Sequence, residues 1–368
     1  MTPPSLPGAA SQAVPSSPTG DSASAGGGPS GPSRGSHGGS VPGFTALDED
    51  GWVTARPPGA AQVLRRFLGF PSVLLRNLDL VRTSTRRMIE AQFTGSVLGW
   101  LWPLFTPIAL FFVYYFIFTK LLGFKLDVMG LPAEAATAMG IYMFTGIVVW
   151  TGFAEAVLRC TGTIVENGDV IKKLSFPTEL LPLNIVLSSS VTMLFGVSAY
   201  LLAVVVGNLF APEDQSFLLW HSPSWELAWI LAIIPLQLLF TYGLGLFLGT
   251  LQVFLRDTAQ FMGVFTTLWM FLTPVFWIPS DKLVKGIEEV VPLMKLNPMW
   301  HCVYVWRTAL MTPSRLTNKV AEGASIQEVV FVDSVQESVL IFGGWAVGAF
   351  VVGYALFCLA QRRFADEI

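Results

Sequence analysis

The stretch R-C-T-G-T-I-V-E-N-G-D-V-I-K-K-L-S-F-P-T-E-L-L-P, Arg159 to Pro182, decides how the chain is read. It gathers Arg159, Glu166, Asp169, Lys172, Lys173 and Glu179 between two long apolar runs, in a chain that is 52% hydrophobic and only 13% charged. Soluble domains are about one quarter charged. With 28 Phe and 12 Trp as well, the composition predicts an all-α polytopic membrane protein. The quoted stretch is then a compact amphipathic loop on one face of the bilayer, placed to be gripped by another protein.

Working outward, a transmembrane helix needs about 20 mostly apolar residues. Six segments meet that need, at roughly 98–120, 138–158, 180–207, 226–253, 259–278 and 337–360. Basic residues orient them. Arg65, Arg66, Arg76, Arg82, Arg86 and Arg87 precede the first span, and Arg159, Lys172 and Lys173 lie between the second and third. Arg256, beside Asp257, joins the fourth to the fifth, and Arg362 and Arg363 follow the sixth. On the other side, the first loop has Lys125 with Lys120 at its edge, and 208–225 has no Lys or Arg. Short basic flanks stay inside, so both termini and the Arg159–Pro182 loop are expected in the cytoplasm, and 279–336 outside. Within that external segment 287–293 and 298–311 are apolar but too short to span, which predicts short re-entrant or interfacial helices. Residues 312–335 read as a polar external loop.

The N-terminal part divides in two. Residues 1–60 form a tail rich in Pro, Gly, Ser and Ala, expected to be disordered because it offers too little apolar surface to offset ordering entropy. In 61–97, Leu74, Leu78, Val81, Met88, Ile89 and Phe93 recur at helical spacing over 71–93, with Arg76, Asp79, Arg82, Arg86, Arg87 and Glu90 largely opposite. That pattern predicts an amphipathic helix in the membrane interface. Arg82, Arg86 and Arg87 are its candidates for contact with lipid head groups. The six-span domain is expected to occupy 98–368.

The span interiors carry almost no ionisable residue, with Glu155 and Glu226 near ends. Ion-coupled carriers use buried Asp, Glu, His or Arg, and a membrane enzyme needs a nucleophile, an acid–base pair or metal ligands. Neither set is visible. Cys160, Cys302 and Cys358 have no metal or redox spacing. A G-x-x-x-x-G-K-[ST] phosphate loop is also missing, so ATP hydrolysis would have to come from a separate subunit. The spans hold aromatic surface instead: Trp102, Phe111, Tyr114, Tyr115 and Phe118 in the first, Trp269 and Trp277 in the fifth. Such rings suit the passage of sugars over a π face, and equally suit packing and interface belts.

In the central loop Ile164, Val165, Ile171 and Leu174 share one half of a helical wheel. Glu166, Asp169 and Lys173 share the other, with Lys172 near the boundary. This suits a short helix laid across a groove of a partner.

Five motifs, in this order, resemble one family. They are G-S-V-L-G-W-L-W-P-L-F-T-P at 95–107, I-V-E-N-G-D-V-I-K-K-L-S-F-P-T-E-L-L-P at 164–182, F-L-R-D at 254–257 with T-P-V-F-W at 273–277, L-N-P-M at 296–299 followed by Arg307, and the terminal R-R-F-A-D-E-I. Together they look like the permease subunit of type-2 ABC exporters for polysaccharides, the O-antigen, capsule and teichoic-acid exporters. The resemblance implies a homodimer of permeases with a pore between them and a dimer of ATP-binding subunits docked below. It implies a lipid-linked glycan as substrate, with no role for nucleic acid. No cofactor would be bound by this chain, ATP and Mg being held by the partner. The family's coupling helix maps onto Glu166, Asn167, Asp169, Lys172 and Lys173. An exporter of drugs or small lipids shares the fold. A membrane-bound glycan-modifying enzyme would need external polar residues, of which Asp281, Glu288, Glu289 and His301 are scattered candidates.

Overall fold

The computed structural model describes residues 59–121, 135–173, 177–210, 225–279, 286–311 and 334–367. The tail, Lys125, Leu174, Asp281 and the polar loop at 312–333 lie outside the described residues. Among those described there is no strand. Four helices are long and apolar enough to cross a bilayer: Tyr142–Glu166, Leu180–Val206, Trp225–Phe254 and Val335–Arg363. They coincide with the expected second, third, fourth and sixth spans. They belong to α4 (Ala135–Glu166), α6 (Leu180–Phe210), α7 (Trp229–Phe254) and α11 (Val335–Ala360), numbered in chain order with the helices below.

The other two expected spans are shorter. The first is α3 (Trp102–Tyr115), which continues through a π-helical turn, Phe116–Leu121. The fifth is α8 (Thr258–Leu272), of 15 residues. It stops at Thr273, which is extended (φ −97°, ψ 137°) because Pro274 disfavours a helical residue before it. The N-terminal amphipathic region is two helices, α1 (Ala60–Arg76) and α2 (Leu78–Phe93), broken at Asn77. The apolar spacing over 71–93 therefore straddles a break, and α1 runs straight through Pro71.

α4 is the central helix, packed against α3, α6, α7, α8 and α10 (Pro298–Met311). Its most apolar window is 67% buried, against 22% for α11, which leaves most of α11 facing outward. The most extensive helix pair is α7 with α11. Gly243 and Gly353 make it close: a Cβ on Gly353 would collide with the Gly243 carbonyl, and one on Gly243 with the Phe350 amide.

Two of the quoted motifs, T-P-V-F-W and L-N-P-M with Arg307, meet at the end of the bundle away from Arg159–Pro182. Asn297 precedes Pro298, the first residue of α10, and its Oδ1 accepts from Met299 N at 3.0 Å, a capping bond. The same oxygen takes the Trp269 indole N–H at 2.7 Å, and Asn297 Nδ2 donates to Thr273 Oγ1 at 2.8 Å. Arg307 of α10 donates to the carbonyls of Tyr142 (3.3 Å) and Val275 (2.9 Å), its guanidinium lying 3.4 Å from the Tyr142 ring centre. Tyr142 in turn donates through its hydroxyl to the carbonyl of Trp277 at 3.0 Å. Gly146 leaves the room, since a Cβ there would sit 2.6 Å from Arg307 Nη2. α10 is buried on all sides from Met299 to Met311, His301 and Arg307 included.

Candidate functional site

The opposite end carries most of the described basic residues, and the stretch quoted first is its centre. α4 ends where Asn167 folds back: its Nδ2 donates to the Thr163 carbonyl at 2.8 Å, satisfying an acceptor the helix end leaves open. The Asn167 carbonyl then accepts from Ile171 N at 3.1 Å and starts α5 (Gly168–Lys173). Asp169 lies in the first turn of α5, where the peptide dipoles favour a negative charge. Ile164 is fully buried, and Ile171 packs on the same core, which includes Cys160, Leu246 and Phe364. Glu166, Asp169 and Lys172 are exposed, and so is Val165. The apolar half of the wheel is thus narrower than its residue types suggest. The Lys173 side chain lies outside the described residues. After Pro177, α6 begins at Leu180 with Leu180 N donating to the Pro177 carbonyl at 2.9 Å.

Several elements hold this hairpin from below. Gly245 and Gly249 of α7 let α4 approach: a Cβ on Gly249 would lie 2.9 Å from the Cys160 carbonyl. The Tyr242 hydroxyl donates to the Glu179 carbonyl at 3.0 Å. Gln361, just past α11, donates through Nε2 to Thr178 Oγ1 at 2.8 Å and accepts from Arg66 at 2.8 Å. α12 (Phe364–Glu367) packs on α5. On α1, Phe67 and Phe70 enter an aromatic cluster with Tyr242, Phe350 and Tyr354, ring centres 5.4 to 5.8 Å apart. Leu64, Leu68 and Leu75 on its next face are exposed. One helix face therefore grips the bundle and a second is apolar and open. Gln361 is the clasp between α1 and the hairpin. Gln361→Leu removes it, and a bond of roughly 1 kcal/mol corresponds to about a fivefold rise in the open population of α1. Trypsin cleavage at Arg65 and Arg66 should accelerate by that factor, with the rest of the digest unchanged.

The remaining candidates fall as follows. Arg256 and Asp257 are exposed in the turn between α7 and α8, where Gln252 donates to the Arg256 carbonyl at 2.9 Å and accepts from Ala259 N at 2.7 Å. Arg82, Arg86 and Arg87 are exposed on α2. Arg86 donates to Glu90 at 2.7 Å, and that hydrogen bond raises its pKa further. The buried face of α2 is Val81, Thr85, Ile89 and Phe93, packed on α6. Trp102 is 42% exposed, and its N–H donates to Ser96 Oγ at 2.6 Å in a turn where Gly95 and Gly99 take positive φ. Trp269 is half-buried, edge-on to Trp150 and Phe153. The Trp277 N–H donates to the Phe271 carbonyl at 3.0 Å. The side chains of Phe111, Tyr114, Tyr115 and Phe118 lie outside the described residues. Of the enzyme candidates, His301 is buried, its Nε2 2.9 Å from the Lys295 carbonyl. Among the described residues no group of three His, Cys, Asp or Glu gathers as metal ligands.

One cluster escaped the sequence reading. Glu155 Oε1 accepts from Arg159 at 3.0 Å, Gln92 at 3.1 Å and Ser189 at 3.5 Å. The spacing of Glu155 and Arg159, one helical turn apart, was its only sequence signal.

Comparison with known proteins gives this helical bundle, with its braced, charge-tipped hairpin at one end, a family. The model of the ABC-2 type transporter matches residues 79–311. The chain belongs to the ABC-2 type transporter family. Among its relatives is an O-antigen export system permease protein RfbA of Klebsiella pneumoniae, 24% identical over 289 residues, 78% of this chain and 94% of that one. Another of the same name, from Myxococcus xanthus, is 26% identical over 220 residues, 60% of this chain and 75% of that one. As an ABC-2 type transporter, the chain is a multi-pass membrane subunit, and the match starts at Asp79, one residue into α2.

Proposed function

We propose that this chain is the permease of an ATP-driven exporter that moves a lipid-linked polysaccharide, of O-antigen, capsule or teichoic-acid type, across the bacterial cytoplasmic membrane. The observation that carries this reading is the likeness to O-antigen export permeases along 78% of the chain. In this reading two permeases form a homodimer around the glycan path, and two ATP-binding subunits with their ATP and Mg dock on the basic end. Both termini then face the cytoplasm. α3 with its π turn and the short α8 complete six spans, and α10 with the helix before it, α9 (Ile287–Met294), re-enters from outside. Glu166, Asn167, Asp169, Lys172 and Lys173 form the coupling surface, and Arg82, Arg86 and Arg87 lie at the lipid head groups.

The test is a deletion strain and a pull-down. Deleting the gene should abolish the surface glycan and leave lipid-linked polymer on the cytoplasmic side, and the tagged permease should co-purify with a phosphate-loop ATPase. A deletion strain with unchanged surface glycan but altered tolerance to small amphiphiles would replace this reading by export of drugs or small lipids.

A further inference from the structure

We propose that a cavity among α2, α3, α4 and α6 is a binding site for a sugar ring, separate from any path between two permeases. The cavity has a volume of about 120 Å³ and is partly open. A buried water needs only about 10–15 Å³ on this measure, so the space takes a group far larger than one solvent molecule. Its polar lining is Gln92, Thr106, Thr151, Glu155 and Thr192, with the Trp102 ring as an aromatic wall.

The chemistry of that lining selects hydroxyl groups. Glu155 uses Oε1 for all three of its bonds to Arg159, Gln92 and Ser189. Among the described residues Oε2 has no partner, and the same holds for Gln92 Oε1 and the Thr106 hydroxyl. Thr151 and Thr192 donate to the carbonyls of Val148 and Ser188, which leaves their oxygens as acceptors. The site therefore offers mainly acceptors, the pattern a ring of O–H donors requires. Trp102, whose N–H is committed to Ser96, is the tryptophan of the lining, and an aromatic surface fits the C–H face of a pyranose.

Charge points the same way. Among the described residues no Lys or Arg lines the cavity, and Arg159 donates to Glu155 behind it. A phosphate would meet a carboxylate with no free cation. A cationic head group would find that carboxylate already neutralised. A neutral polyol is the ligand left. The cavity lies about three turns of α4 from Glu166, on the side where α2 and the start of α3 come together, so a sugar next to its lipid carrier could enter from the inner leaflet. The source of the sugar rests on the export reading above; the site itself rests on its lining.

The test uses full-length permease in nanodiscs and octyl β-D-glucoside carrying a diazirine on the chain carbon next to the sugar. Cross-links are mapped by mass spectrometry. The glucoside should label the peptides around Gln92–Thr106 and Val148–Glu155 at least about fivefold more than octyl probes with tri(ethylene glycol), phosphate or trimethylammonium heads. Glu155→Gln, which turns Oε2 from acceptor to donor, and Thr106→Val, at an exposed position, should each lower that labelling by about the same factor. Equal labelling by the ethylene glycol probe would make this a tail pocket, and preference for the phosphate or ammonium probe would make it a head-group site; each overturns the proposal. So does undiminished labelling of folded Glu155→Gln and Thr106→Val. Loss of surface glycan on deletion without glucoside labelling sinks the site alone. Selective labelling with surface glycan intact sinks the export reading alone.

Discussion

Gly353→Ala should lower the yield of monodisperse, detergent-extracted permease by at least about tenfold. The new methyl group would point into the carbonyl of Gly243 on α7, a backbone atom that no side-chain rotation can move aside. Overpacking in a core costs about 1–3 kcal/mol when side chains can yield. Here the whole helix pair must separate, and that pair is the most extensive in the bundle. Close approach through small residues is how helices gain packing where lipid supplies no hydrophobic drive. Gly344→Ala on the same α11 is the control: nothing lies within 4 Å of its added Cβ. Size-exclusion profiles should separate the two variants, and equal profiles would refute the role given to the Gly243–Gly353 contact.

Charge reversal on α5 should act on activity instead of folding. Asp169→Lys and Lys172→Glu change exposed side chains at the tip of the hairpin, so membrane insertion and the purified yield should stay at the level of the unaltered protein. If this surface docks on an ATPase, a like-charge contact in place of a matched one costs several kcal/mol. Export and permease-stimulated ATP hydrolysis should then fall by at least about tenfold, since 1.4 kcal/mol is already one factor of ten. A compensating reversal on the ATPase should restore both. Unaltered hydrolysis in either variant would remove α5 from the coupling surface.

What the sequence allowed to be read, and what it hid, differ by the kind of partner involved. The two apolar runs around Arg159–Pro182 were legible because twenty apolar residues in a row have few other uses. The hairpin's exposed charges were legible from helical spacing. α10 was visible as an apolar stretch too short to span, although nothing in its composition announced that it would be enclosed on every side. Arg307 stood out as a motif residue, but its acceptors are the carbonyls of Tyr142 and Val275. Every residue has a carbonyl, so no residue type marks that seat. Gln92 and Glu155 are 63 positions apart in sequence and meet only after α2 folds back on α4. The break at Asn77 was missed because the apolar spacing on either side of it runs on in phase, and the helical spacing was read only from position 71, whereas α1 starts at Ala60 and continues through Pro71.

The fixed seat of Arg307 has a mechanical meaning. It clamps the far end of α4 at Tyr142 and Gly146, and α4 then runs unbroken to Glu166, where α5 begins. Those 25 residues make a stiff rod of about 36 Å. A push that tilts the rod by about 5° displaces its other end by about 3 Å. Force applied at α5 thus has a direct line to α10 and to the turn after α8, and the end of the bundle that holds Arg307 can be worked from the opposite end by one lever.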